Sequence, residues 1–492
     1  MIEKRFNLID EKWIPIADTG LASLHDVFSD GTLTALGGDP VQKISVFKLL
    51  LAIAQSAWTP SDETEWRKVG VSGMSERVLR YLEKWHDAFW LYGDKPFLQM
   101  PEIAKAKKKS YGELQMMVST GNTTVLTQYQ IEKALSDSDK ALLLIQTMCF
   151  ALGGKKGGSE IVLTEGYEKS KSLKYGSSLG QFGFLHNFVF TYNLQDSIYI
   201  NLFTKKEISS YSYLSLGIGI APWEQMPLGE NDSIAQKLKQ SYMGRLLTLS
   251  RFLLFTDTGA HFTEGIIYNT DQERMLDPSI SVCFSGKEPV ALKVNTEIRP
   301  WRKLTALLSY VMDEKNKYEC PQIKLGLSRM YEYQSFSIWS GGVRVHANSG
   351  EQYLSGTDDF VESEVQLSGS IFDNASDFIT TLNNEMEIMD TISGKVYVCV
   401  IGYFKQLKVD GDKTAKKATG IYWQLCERIF QKLVDSCATD TSGNKAKEYQ
   451  KIYLAHAYST YDQFCPNQSA RQMEAWAANR FGFEKKLTKE TN

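Results

Sequence analysis

The chain has 492 residues, 43% of them apolar and 23% charged, enough to bury a large core and form roughly two to four domains. A formal charge of −3 excludes nucleic-acid binding by bulk charge, so any such site is a local basic patch or borrows phosphate contacts from neighbouring subunits. Seven cysteines with no CxxC pair exclude a zinc knuckle and a disulfide framework, and fit reduced thiols in a cytoplasmic protein.

The opening MIEKRFNLIDEKWIPI holds no apolar run of a secretory signal. Residues 46–58 (VFKLLLAIAQSAW) have helical periodicity and stop before Pro60. A second helix is expected over 75–91 and a third over 137–152. The longest apolar stretch, 141–152, is interrupted by Gln146 and too short to span a bilayer, so no membrane contact is expected. The segment between these helices, 105–128, is polar with few regular signals. Residues 187–194 and 197–203 alternate like two strands joined at a Gln-Asp turn. Helical spacing returns over 299–312 and 322–331, and 335–348 reads as a strand pair broken at Gly341 and Gly342. Residues 1–365 are therefore expected to form one large, irregular α+β domain.

From about Asp373 the texture turns wholly helical. Phe378, Leu382, Met386 and Met389 share a face, as do Ile421, Leu425, Ile429 and Leu433. Tyr449, Ile452, Tyr453 and His456 follow, then Met473, Trp476, Ala477 and Phe481. Four amphipathic helices with polar, Gly- or Pro-bearing connectors predict an all-α four-helix bundle over 366–492.

Catalytic chemistry is sparse. The six histidines (His25, His86, His186, His261, His346, His456) stand singly, with no HxH or HExxH, and no GxSxG elbow is present. The run Gly153-Gly154-Lys155-Lys156-Gly157-Gly158-Ser159 is not GxxxxGK[ST] and fails as a P-loop. Asp358, Asp359, Glu362 and Glu364 in TDDFVESE suit either Mg²⁺ in a nuclease or a solvated acidic loop, and nothing adjacent supplies a His or Lys. The expectation is a non-catalytic protein without metal or cofactor. The alternative is a Mg²⁺-dependent nuclease using these carboxylates, and a third reading is a scaffold without DNA contact.

Several segments suit contact with a duplex. The glycines of 153–158 let a backbone approach a groove while Lys155 and Lys156 meet phosphates, although the run equally suits a flexible helix C-cap. Lys105, Lys107, Lys108 and Lys109, and later Lys169, Lys171 and Lys174, add a weak basic bias. The polar stretch 119–124 suits a loop that orders on binding. Residues 285–289 form a turn between two β-like runs, with Lys287 at its tip, placed for a minor groove or simply for solvent. Residues 331–336 (YEYQSF) join a helix to a strand and place a long amide, Gln334, at the junction.

The order of these segments resembles the CasA family, the large subunit of the type I-E CRISPR Cascade surveillance complex. The opening Asn7 to Ile16 (NLIDEKWIPI) is similar to that family's N-L-x-D-x-x-W-I-P pattern. LAIAQSAWTP at 51–60 and KPFLQ at 95–99 match its next segments; the glycine run, the Lys287 turn, the Gln334 junction and a helical C-terminus follow in order. The resemblance implies a protein that recognises the protospacer-adjacent motif in double-stranded target DNA, chiefly from the minor groove. By that likeness the glycine loop falls on 153–158, with Gly157 and Gly158 the closest matches beside Lys155 and Lys156, the lysine finger on Lys287, and the glutamine wedge on Gln334 with Ser335. A family loop that touches guide and DNA through an aromatic residue and an asparagine falls on 122–127. Here Asn122 opens that stretch, and Val125 and Thr127 replace the two contact residues. The implied partners are the CRISPR guide RNA, other Cascade subunits and a helicase–nuclease docked on the N-terminal domain.

Overall fold

Residues 40–57 carry apolar side chains on every face, and a helix of that kind must lie at the centre of its domain. In the computed structural model, which describes residues 3–116, 134–153, 183–268, 276–284, 287–305, 307–308, 318–348, 351–440, 442 and 444–480, it does. Helix Pro40–Ala57 buries fourteen of its eighteen residues. It starts six residues before the expected 46 because Asp39 and Gln42 form a reciprocal capping box (2.9 and 3.0 Å) with Pro40 in the first turn. Phe47 sets its edge against Phe188 and Phe190 (ring centroids 4.9 and 5.0 Å) of strand His186–Phe190. That strand belongs to a three-stranded sheet in which Ser335–Val343 is central and Phe360–Ser368 lies on its other side.

Several expectations for this body are corrected. Residues 194–200 are a helix, not a second strand: Asn193 caps Leu194–Ile200 by accepting from the Asp196 N–H at 2.8 Å. Six of the seven helical residues are buried, so no polar face exists to mark the helical period. The expected 75–91 helix is Glu63–Lys84, kinked at Gly70 (φ +68°). It gives way to a 3-10 turn at His86–Ala88 and to strand Trp90–Tyr92, paired with Arg5–Asn7. Gly341 and Gly342 do not break Ser335–Val343. They keep it continuous under close neighbours, since a Cβ on Gly341 would run into the Trp339 ring and one on Gly342 would meet the Phe184 carbonyl at 2.6 Å. The hairpin foreseen there instead pairs His346–Asn348 with Glu351–Tyr353. No described helix is long and apolar enough to cross a membrane.

The chain divides into two compact units. One comprises Met1–Trp301, Lys315–Arg329 and Ser337–Glu364, and the other Arg302–Glu314, Met330–Phe336 and Val365–Asn492. In the second unit the described residues build four helices, Ala375–Gln406, Asp412–Thr439, Asn444–Phe464 and Ala470–Arg480. The expected stripe of Phe378, Leu382, Met386 and Met389 is buried and runs on through Ile392, Val396, Val400 and Tyr403. In Asp412–Thr439 Leu433 is buried as expected, but the rest of the seam lies one position on: Tyr422, Cys426 and Phe430 are buried, while Ile421, Leu425 and Ile429 flank them half-exposed. That helix packs on both Ala375–Gln406 and Asn444–Phe464, so two neighbours set its seam. Ala470–Arg480 buries only Ala475, and Met473 and Ala477 face solvent. The fold is thus α+β, a mixed body followed by a four-helix bundle.

Candidate nucleic-acid interface

Lys287 stands on a built hairpin. Val282–Cys283 pairs antiparallel with Val290–Ala291 in the register Cys283 to Val290 and Val282 to Ala291, and Tyr318–Glu319 pairs along the other edge. Val282 and Ala291 pack with Phe184 and Ile280 beneath the sheet, so the base of the hairpin is fixed. Ser285 and Gly286 of the anticipated turn lie outside the described residues, and Lys287, which follows them, is exposed. Two apolar side chains flank it, Phe284 at 49% and Val290 at 59% exposure. A cationic tip with apolar shoulders suits a minor groove, where base edges offer acceptors and sugars offer apolar surface.

Gln334 and Ser335 stand at a tight junction in the second unit. Helix Pro321–Ser328 is followed by a 3-10 turn at Met330–Glu332, and the strand begins at Ser335. The Tyr333 N–H donates to the Met330 carbonyl at 3.0 Å, and the Gly369 N–H donates to the Gln334 carbonyl at 2.9 Å. Gly369 is required there, because a Cβ would collide with the Tyr333 carbonyl oxygen. Phe336, the next residue, is buried. The backbone of Gln334 is therefore pinned on both sides while its side chain and that of Ser335 are exposed. A polar side chain on a rigid mount is what a wedge needs.

The acidic cluster is drawn apart. Asp359 is buried, 2.9 Å from His346 Nε2, and accepts from the Ser355 N–H at 2.5 Å. Glu362 pairs with Lys43 at 2.8 Å and accepts from the Trp339 indole at 3.1 Å. Glu364 accepts from the Ser337 hydroxyl at 2.6 Å, and Asp358 is exposed. The expectation that no His or Lys serves these carboxylates is thus corrected: the fold brings His346 and Lys43 to them. Among the described residues no group of three or more His, Cys, Asp or Glu side chains is placed to hold a metal ion. The histidines also keep separate company: His86 meets Asp10 at 2.7 Å, His261 the Ala106 carbonyl at 2.7 Å, and His25 meets Ser29 at 3.3 Å. His186 sits 2.8 Å from the Ser279 hydroxyl, and burial, with Lys48 nearby, lowers its pKa to about 3.

Of the residues singled out from sequence, the structure brings Gln334 and Ser335 together on one turn of the second unit and places Lys287 in the first. Asn122, Val125, Thr127, Lys155, Lys156, Gly157 and Gly158 lie outside the described residues. Gly153, which opens the glycine run, donates to the Gln352 side chain at 2.7 Å. Sequence reasoning missed Phe284, Val290 and Tyr331, the last 66% exposed. An aromatic or β-branched residue beside or within a turn was the available signal.

Residues 7–459 match the family model described as CRISPR-associated protein Cse1. The CasA/Cse1 protein of Thermus thermophilus is 28% identical over 172 residues, 31% of this chain and 32% of that protein. The matched stretch therefore spans about a third of that relative's length. Among solved structures, Cse1 of Thermobifida fusca superposes with a TM-score of 0.74 at 18% identity, covering 98% of each chain. CasA of Thermus thermophilus gives 0.71 at 15% identity, covering 98% of this chain and 99% of that one. A chain from a CRISPR RNA-guided surveillance complex gives 0.67 at 13% identity, covering 96% and 98%. At such identities these structures establish a shared fold.

Proposed function

The chain belongs to the Cse1 family of CRISPR-associated proteins, and from that premise we propose that it is the large subunit of an RNA-guided surveillance complex of the Cascade kind. In this reading it recognises a protospacer-adjacent motif in double-stranded DNA, starts strand separation beside that motif, and takes no catalytic part. The observation that carries the reading is the exposed Gln334–Ser335 pair on a junction pinned by Gly369. Lys287 supplies the minor-groove contact. Readout from that groove is degenerate, which suits a reader of several related motifs. Sequence discrimination then falls to guide-RNA pairing.

The net charge of −3 supports this division of labour, since other subunits would hold the guide and most target phosphates. The mixed body would dock the helicase–nuclease, and the helical bundle would contact the small subunits and a separated strand. The competing nuclease reading loses support because Asp359, Glu362 and Glu364 each serve a different side chain.

Strand separation needs the first pair unstacked, at a cost of a few kcal/mol. Changing Gln334 and Ser335 together to Gly should slow R-loop formation on fully paired target, while a target pre-melted beside the motif should react at nearly the unmodified rate. A melting curve controls for folding. An equal defect on both targets would show that the pair is structural.

A further inference from the structure

Tyr331 belongs to the same turn as Gln334, and the wedge assignment gives it no task. Its ring packs on Phe372 (centroids 4.4 Å, 36° between planes), and Phe372 stacks in turn on the buried Phe336 (5.8 Å, 19°). Three rings thus form a ladder from the core of the second unit to its surface, and the outermost keeps 66% of its area in solvent. Tyr331 lies over Phe372 with one face and keeps the other open, at the cost of exposing a large apolar face to water.

The position relative to Gln334 suggests the occupant. Three residues of chain span at most about 10 Å, roughly three base steps of a DNA strand. A wedge that parts the first pair leaves an unstacked base within that reach. A base exposed to water regains stacking on any aromatic face held ready for it, whatever its identity.

We infer that Tyr331 is a stacking platform for one unpaired nucleobase of the opened target DNA, resting on the reading of Gln334 as the opening element. The phenol ring takes the place of the lost neighbour in the stack, and Phe372 fixes its tilt. Capture of this base holds the opened strand back from re-pairing until the guide has paired.

The test uses the assembled complex and a target whose first pairs beside the motif are mismatched, so that bases are unpaired whether or not Gln334 acts. 2-Aminopurine, whose fluorescence falls on stacking, is placed in the mismatched stretch, in one strand and then in the other. In one strand the protein with Tyr331, and the Tyr331→Phe variant, should quench the probe. Tyr331→Leu, which still covers Phe372, and Tyr331→Ala should leave it severalfold brighter. On fully paired target, Tyr331→Leu should also raise the rate at which the opened state closes again. Equal fluorescence from all four proteins with the probe in either strand would overturn the platform. The wedge assignment is judged separately, by R-loop rates of the Gln334 variant on paired and mismatched targets. Either assignment can therefore fail alone.

Discussion

The two units differ in how particular buried carboxylates are met. In the mixed body the buried ion pairs at Lys48 and Arg329 are closed by further hydrogen bonds. Lys48, on the central helix, pairs with Asp277 and donates to the Arg245 carbonyl at 3.1 Å, and Asp277 also accepts from the Ser279 N–H and hydroxyl at 2.9 and 2.8 Å. Arg329 donates to Glu63 and to the Ile200 and Leu202 carbonyls at 2.5, 2.8 and 2.7 Å. The bundle works from apolar stripes, and one of its buried carboxylates is met less fully. Glu385 is buried with a single amide bond, from Gln450 at 2.9 Å, and its second oxygen has no partner among the described residues. Desolvation raises its carboxyl pKa to about 7. The lesson is that a buried carboxylate met by a cation and several directional bonds, as Asp277 is, has its pKa lowered, whereas one met by a single amide, as Glu385 is, responds to pH.

The sharpest way to break that contrast is Lys48→Met. It leaves Asp277 buried without its cation, and removing one partner of such a pair costs about 3–5 kcal/mol. Chemical denaturation of the full chain should show that loss; one below about 1 kcal/mol would mean that the body does not depend on the pair. Next, Lys287→Ala should weaken duplex binding by the assembled complex by about 1–3 kcal/mol and reduce its preference for motif over non-motif DNA. Assembly should be unchanged, because the hairpin base does not use this side chain. Unchanged preference would reduce Lys287 to a turn residue.

A smaller effect is expected from Glu385→Gln. The folded carboxyl is raised from 4.5 to about 7, so its protonated form is the one the fold favours. Stability from this group is fully present below about pH 4.5 and is lost as pH rises through 7. The Gln variant should remove that slope and be the more stable protein at pH 8, read from thermal melts between pH 5 and 8. Parallel pH profiles for the two proteins would remove the contrast with the body. The smallest expected effect is none: supercoiled DNA with Mg²⁺ or Mn²⁺ should survive incubation with the chain. Cleavage that Asp358→Ala abolishes would restore the nuclease reading.

Much of the architecture was legible because it rests on short-range chemistry. The strands flanking Lys287, the junction at Gln334 and the stripe from Phe378 to Met389 each depend on a few neighbouring residues, and all three are present. The 194–200 helix was misread because burial on all sides erases the amphipathic period that distinguishes helix from strand. The seam of Asp412–Thr439 moved by one position because two packed neighbours set it, and periodicity alone gives only an approximate face.

By itself the sequence determined the central helix, the helical C-terminus, the family likeness and the exposed Lys287 and Gln334, which follow from local pattern and from the order of short motifs. Tertiary structure alone decided which distant groups meet. Lys43 reaches Glu362 across 319 positions, His346 takes Asp359, Gly369 closes on Tyr333 and Gln334, and Phe372 props Tyr331. It also assigned Arg302–Glu314 and Met330–Phe336 to the unit that holds the bundle. The physical reason is that backbone preference is a property of a few adjacent residues, whereas a buried partner is chosen by the shape and charge of whatever the finished fold brings beside it.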